Sequence, residues 1–204
     1  MFKLIAFDLD GTLVEFNIPF ELIREKLGIK ERFILEAILE EKSEKRRAEM
    51  LEILEEFELR SAENAKLAFY AAELLNFLCK SGIIYGVVTR NSRKSVDVIA
   101  RKFSLKFDFI ISREDAKPKP SDEPIRILIE KFGVKNDEIL VVGDFLFDLL
   151  AGKKAGAKTA LMVHERNKVM LESFKPYADY VFHSLKELAI FLGDRDDTKK
   201  SSEV

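Results

Sequence analysis

The sequence predicts an α/β fold built on a parallel, Rossmann-like sheet, and three observations carry the prediction. Short runs that are apolar at nearly every position recur along the chain, as strands buried on both faces require. Segments of helical periodicity separate most of them. The acidic and hydroxyl residues of the most suggestive motifs stand directly after these runs, at the sheet edge where open α/β folds place their ligands. At 204 residues there is room for one medium domain or a domain with a small appendage, and a 47% hydrophobic composition supplies a core.

The first run, Leu4-Ile5-Ala6-Phe7, ends in Asp8-Leu9-Asp10-Gly11-Thr12 and reads as a central strand followed by a tight turn. Residues 15–64 then break the alternation, with helical signals and no convincing strand. Pro19 suits a first turn and Gly28 a stop, and Phe33, Ile34, Ala37 and Ile38, then Met50, Leu51, Leu54 and Phe57, recur at spacings of three and four. Here Glu41 and Lys45 are expected to pair at i,i+4, and Lys45-Arg46-Arg47 reads as a solvated helix face or bend, with recognition of an anionic ligand as the lesser alternative. Leu67, Tyr70, Ala71, Leu74, Leu75 and Leu78 line a helix that packs back on the sheet and ends before Gly82. Strands follow at residues 83–88, 109–111, 139–142 and 159–163, with a weaker one at 180–182. The last helix covers 185–192 and can be closed by Gly193, leaving 194–204 as a polar, frayed tail. The expected organisation is a core of residues 1–14 and 65–193, an inserted helical cap of residues 15–64, and the tail.

Charge and composition narrow the function classes. Lys and Arg number 34 against 36 Asp and Glu, a net charge of -2, which excludes nucleic-acid recognition by bulk charge and an acidic solvating chain alike. One cysteine, Cys79, allows no intramolecular disulfide and no Cys-rich metal site, so a reduced, cytoplasmic setting is the default. Its place on a helix reads as that of a small buried hydrophobe. No apolar run is long enough to span a bilayer and the N-terminal one is too short for a signal segment, so a soluble chain with no membrane partner is expected. His164 and His183 lack ligand spacing and read as surface or loop residues outside the chemistry. The 17 phenylalanines are chiefly core, although Phe16 and Phe20, just after the first acids, can line a substrate entrance. Whether the chain is a monomer or a homodimer is left open.

Asp8 and Asp10 project from the end of the first strand, and two neighbouring carboxylates repel unless a divalent cation neutralises them or one holds a proton. Either solution suits phosphoryl chemistry: a metal bridges carboxylate and phosphate, and an acid protonates a leaving alcohol and later activates water. The plainer alternative is a pair of turn acids capping a helix. After the second strand, Thr89-Arg90-Asn91-Ser92 offers a hydroxyl and backbone N–H groups at a helix start, a natural phosphate site as well as an ordinary N-cap. Ala116-Lys117-Pro118-Lys119-Pro120-Ser121 can hold fixed positive charge against a phosphate, or be a surface linker. Gly143-Asp144-Phe145-Leu146-Phe147-Asp148 adds two acids four apart, able to meet the first pair around one oxygen-ligated metal. Each motif alone is weak, whereas their ordered occurrence at successive strand ends is specific.

With these motifs the chain resembles the haloacid dehalogenase-like hydrolase superfamily over about residues 1–193, and more closely its phosphoglycolate-phosphatase-like members with a small helical cap. The resemblance to the family's D-x-D-G-T motif implies that Asp8 is the nucleophile forming an aspartyl-phosphate. It implies that Asp10 is the general acid/base and binds Mg²⁺ through its backbone carbonyl. Thr89 and the amide of Arg90 or Asn91 would touch phosphate. Spacing to Gly133 favours Lys119 as the family's lysine, with Lys117 as the alternative. Asp8, Asp10 and Asp144 would hold Mg²⁺, while Asp148 would act through water or hydrogen bonds to lysine. Phe145 departs from the small hydroxyl residue common in relatives, which puts the hydrogen bonding around Asp144 in question. The implied activity is Mg²⁺-dependent hydrolysis of a small phosphorylated metabolite. A phosphomutase and a catalytically silent binding protein are the alternatives; Asp10 argues against dehalogenation, and the position of the acidic motif argues against a receiver domain.

Overall fold

The computed structural model describes residues 1–200, and the side chains of residues 1–193. Its elements run β1 (Leu4–Phe7), α1 (Phe20–Leu27), α2 (Ile34–Glu40), α3 (Glu44–Glu63), α4 (Ala71–Lys80), β2 (Ile84–Val88), α5 (Arg93–Lys102), β3 (Phe109–Ile111), α6 (Glu123–Phe132), β4 (Ile139–Gly143), α7 (Leu146–Lys154), β5 (Lys158–Met162), α8 (Leu171–Phe174), β6 (Tyr180–Phe182) and α9 (Leu185–Lys200). The strands form one parallel sheet in the order β3-β2-β1-β4-β5-β6, the α/β architecture that the apolar runs predict. Phe7 of β1 faces Val87 of β2 on one side and Val142 of β4 on the other. The chain winds outward from β1 to β3, then crosses back to β4 and winds outward the other way. The reversal opens a crevice at the carboxyl end of β1, which brings Asp8 there by topology alone.

The runs lack polar alternation because helices cover both faces of the sheet. Ile5 and Phe7 pack with Leu74 and Leu78 of α4, Val96 of α5 and Leu188 of α9. Leu4 and Ala6 point the other way, to Ile125 and Leu128 of α6. The inserted helices have a cluster of their own, with Ile23 and Leu27 of α1, Ile34, Leu35 and Ile38 of α2, and Met50 and Leu54 of α3 buried together. Pro19 immediately precedes α1, and Gly28 ends it in the left-handed conformation, as the sequence predicts. The segments leading into and out of the insert lie side by side: the Glu15 N–H donates to the Lys66 carbonyl, and the Ala68 N–H to that of Leu13, both at 2.9 Å. α3 is also tied to the core through Lys94 to Glu55 (2.6 Å) and through Lys102 Nζ to the Glu63 and Ala65 carbonyls (2.6 and 2.8 Å).

Four local expectations are corrected. Ser43 caps a new helix by accepting from the Arg46 N–H, so Glu41 and Lys45 do not share one helix; Glu41 pairs with Arg46 and Lys45 with Glu49. The helix expected from Leu67 begins at Ala71, since Leu67 is bridged to Val14 and Tyr70 has a left-handed φ of 69°. Cys79 is exposed, because Leu74, Leu75 and Leu78 occupy the buried stripe of α4 and the next position turns about 100° away from it. Gly193 does not close α9, which runs to Lys200; it adopts none of the positive φ angles by which glycine ends a helix. Residues 201–204 of the expected tail lie outside the described residues. Among the described residues, no helix is long and apolar enough to cross a membrane.

Candidate active site

Asp8 is the first residue beyond β1, and its N–H still donates to the Val142 carbonyl of β4 at 2.8 Å, so the sheet fixes its backbone. Gly11 follows with φ of 84° and turns the chain back. It is glycine for a second reason: a Cβ there would collide with Oδ2 of Asp144. Gly143, at the end of β4, gives the Asp148 carboxyl the same clearance. Two glycines thus let backbone and carboxylates approach closely.

Lys119 is 2% exposed and directs its ammonium into the crevice. Its three protons are all used, toward Asp8 Oδ1 (2.6 Å), Asp148 Oδ1 (2.5 Å) and the Val88 carbonyl (2.6 Å). Lys117 is exposed, so of the two lysines the structure brings Lys119 to the acids. One carboxylate oxygen each from Asp8, Asp144 and Asp148 lies within 4.8 Å of the others. The Asp10 carboxylate lies outside that triplet, its Oδ2 accepting from Asn91 Nδ2 at 2.5 Å. Thr89 follows β2 and is buried, its Oγ1 accepting from the Asn91 N–H, while Ser92 caps α5. The guanidinium of Arg90 donates to the Lys119 carbonyl and to Glu36 of α2 (2.6 Å) and lies over the Phe147 ring, linking this loop to the insert. Glu58 of α3 is buried, accepts from the Ser92 N–H at 3.0 Å and pairs with Arg113.

Lys119 bonds two of the three clustered acids, Asp8 and Asp148, and burial governs the electrostatics of the set. Burial pushes Asp8 up to about 8; Lys119 opposes the rise, while Asp148 and Asp144 add to it. Burial likewise raises Asp10 to about 7 against the hydrogen bond from Asn91, and raises Asp144 against the hydrogen bond from His164. Burial works against the charge of Lys119 too, but the carboxylates of Asp148 and Asp8 outweigh it and its pKa rises. A desolvated set of hard oxygen donors, short of positive charge, fits a divalent cation of the Mg²⁺ type.

A pH dependence follows. An acid whose folded pKa lies above its unfolded value keeps its proton longer when folded, so its contribution to stability is lost as pH rises between the two. For Asp10 that window runs from about 4 to about 7. Asn imitates the neutral acid and does not titrate. In chelator, the wild type is therefore expected to lose stability relative to Asp10→Asn as pH rises from 4 to 7, read as the difference between their unfolding midpoints. A pH-independent difference would refute the raised pKa.

A cavity of about 370 Å³ opens above these groups, walled by the acids, Thr89, Lys119 and inserted residues including Ile18 and Leu54. Phe16 and Phe20 line it, as their position after the first motif suggests. Phe33 of the insert packs on Phe145 and Phe147, with ring centroids 6.3 and 4.9 Å apart. The reading of His164 as a residue outside the site is corrected: its Nε2 is 2.8 Å from Asp144 Oδ2. Asn167 Nδ2 donates to the Asp144 carbonyl at 2.7 Å. His164 and Asn167 thus bond Asp144, whose neighbour Phe145 has no side-chain donor or acceptor. His164 stands just beyond β5 at the same sheet edge, the signal that could have flagged it. Glu58, deep in the insert, carried no such signal; His183 remains outside the cavity lining.

Residues 5–162 match the family model of the haloacid dehalogenase-like hydrolases. An uncharacterised hydrolase of Saccharomyces cerevisiae is 27% identical over 196 residues, covering 91% of this chain and 88% of the yeast protein. The pyrophosphatase PpaX of Oceanobacillus iheyensis is 28% identical over 212 residues, covering 94% and 97%. Among solved structures, that of a predicted phosphoglycolate phosphatase from Haemophilus somnus superposes with a TM-score of 0.71 at 22% identity, covering 94% of this chain and 98% of the other. The acids at the ends of β1 and β4, the hydroxyl after β2 and the buried lysine thus stand in a chain that belongs to the haloacid dehalogenase-like hydrolase family, and it is an enzyme of that family.

Proposed function

We propose that the chain is a Mg²⁺-dependent phosphatase that hydrolyses a small phosphomonoester through an aspartyl-phosphate on Asp8. The observation that carries the reading is the division of labour between the two acids of the first motif: Asp8 is held by Lys119 beside Asp144 and Asp148, and Asp10 stands apart on Asn91. The names of the Oceanobacillus and Haemophilus relatives point to phosphoryl transfer as well.

In this reading Asp8, Asp144 and the Asp10 backbone carbonyl hold the cation, and Asp148 orients Lys119. A bound Mg²⁺ supplies charge neutralisation between carboxylates and phosphate. Thr89 and the amide of Arg90 or Asn91 bind phosphate oxygens at the start of α5, and Lys119 adds a fixed positive charge. An Asp8 carboxylate oxygen bonds to phosphorus as the ester P–O bond breaks, and Asp10, poised near neutrality, gives its proton to the departing oxygen. Asp10 then takes a proton from water, the water oxygen bonds to phosphorus, and the Asp8 carboxylate leaves with inorganic phosphate as product. Residues 15–64 act as the cap that excludes bulk water. The setting is cytoplasmic, where small phosphate esters and a reduced Cys79 coexist.

A panel of phosphate esters and pyrophosphate, assayed with and without Mg²⁺ on wild type and Asp8→Asn, tests the reading. Metal-dependent phosphate release that Asp8→Asn abolishes is expected. Bisphosphate-dependent isomerisation would convert the assignment to a mutase, and the absence of turnover on every ester would leave a binding protein.

A further inference from the structure

The segment after β5 grips Asp144 at two points. His164 Nε2 meets Oδ2 at 2.8 Å, and Asn167 Nδ2 donates to the Asp144 carbonyl at 2.7 Å and to the Met162 carbonyl at 2.8 Å. The segment is itself braced: the His164 N–H donates to Asn167 Oδ1 at 2.9 Å, and the Arg166 N–H approaches His164 Nδ1 at 3.3 Å. An N–H pointing at Nδ1 makes that nitrogen the acceptor, so the neutral imidazole carries its proton on Nε2 and donates it to Asp144. The Arg166 guanidinium lies 3.6 Å from the centroid of the Phe16 ring, fastening the loop to the segment that enters the insert. Oδ2 of Asp144 is thereby fixed between Gly11 and His164, and Oδ1 is the oxygen left for a cation.

We propose that His164 is a positioning residue for the cation site, selecting through its Nε2 proton which oxygen of Asp144 the cation meets. The proposal rests on the cation-dependent reading above. A ligand carboxylate whose second oxygen is held by a fixed donor does not have to be ordered when the cation arrives, and loss of such a partner typically costs 10–100-fold in metal affinity.

The test is calorimetric titration of Mg²⁺ into metal-free protein, without substrate, for wild type, His164→Leu and His164→Gln. Gln places an amide N–H near the position of Nε2, and Leu has no donor. His164→Leu is expected to weaken Mg²⁺ binding about 10–100-fold, and His164→Gln to stay close to wild type. At saturating Mg²⁺, the KM of both variants for 4-nitrophenyl phosphate should match wild type. Should His164→Leu not fold, His164→Asn, polar but too short to reach Asp144, takes its place with the same expected loss. Wild-type affinity in the Leu or Asn variant, equal losses in Gln and Leu, or an effect confined to substrate KM would each overturn the role of His164 alone. A wild type that binds no Mg²⁺ would remove the cation site and this role with it.

Discussion

Lys119→Met is expected to lower kcat by about 10²–10³ and to destabilise the metal-free protein by about 3–5 kcal/mol at neutral pH. Methionine imitates the stem of lysine and keeps the apolar packing, so the effect isolates the ammonium. Without it, Asp8 and Asp148 face each other with no cation, and the Val88 carbonyl loses its donor. Removing one partner of a buried ion pair costs more than the pair contributes, because the remaining charge stays desolvated. Urea midpoints and initial rates measured beside Lys117→Met complete the experiment. Lys117 is exposed, and its replacement should shift stability by no more than about 0.5 kcal/mol. A larger loss at Lys117 than at Lys119 would contradict the geometry of the site.

Gly143→Ala is expected to be nearly as damaging although it removes no functional group. A methyl at this position would overlap the Asp148 carboxyl carbon, so Asp148 must leave its place. Its departure breaks the bond from Lys119 and the one that Oδ2 accepts from the Phe145 N–H at 3.1 Å, which begins α7. Overpacking costs about 1–3 kcal/mol and the broken buried pair adds to that, so a loss above about 3 kcal/mol is expected, with kcat down at least about 10²-fold. Gly152→Ala is the control. Its methyl would meet Thr159 Cγ2 at 2.6 Å, away from the acids, so it should cost stability by overpacking while the remaining folded enzyme turns over normally. Equal kcat values for Gly143→Ala and Gly152→Ala would show that Asp148 does not support Lys119.

The fold was legible because the strands are short, mainly apolar runs, the first four with an acid, hydroxyl or glycine at or just beyond the carboxyl end, and burial on both faces leaves few alternative readings. Asp8, Thr89, Asp144 and Asp148 stand directly after or near strand ends, and so share one edge once the sheet order is known. Lys119 is different: it follows β3 by eight residues, and only the path of the loop separates it from Lys117, two positions away with the same chemistry. His164 was hidden by sequence distance, since its partner Asp144 is 20 residues earlier and a lone histidine carries no ligand spacing. Glu58 and Glu36 were hidden by the insert itself. Amphipathic periodicity identifies which side of α2 and α3 is buried, but not that Glu58 lies against the Ser92 N–H or that Glu36 reaches Arg90.

The proposed phosphatase mechanism stands or falls on phosphorylation of Asp8 during turnover. The direct measurement is acid quench of the enzyme reacting with 4-nitrophenyl phosphate and Mg²⁺, followed by mass spectrometry of the peptide that contains Asp8. Nitrophenolate leaves without help from an acid, so Asp10→Asn should form the aspartyl-phosphate yet fail to activate the water that removes it. A transient phosphoryl group on Asp8 is expected in wild type, with accumulation in Asp10→Asn and absence in Asp8→Asn. Phosphate release by wild type with Asp8 unmodified in both active-site backgrounds, or a phosphoryl group on another residue such as His164, would contradict it.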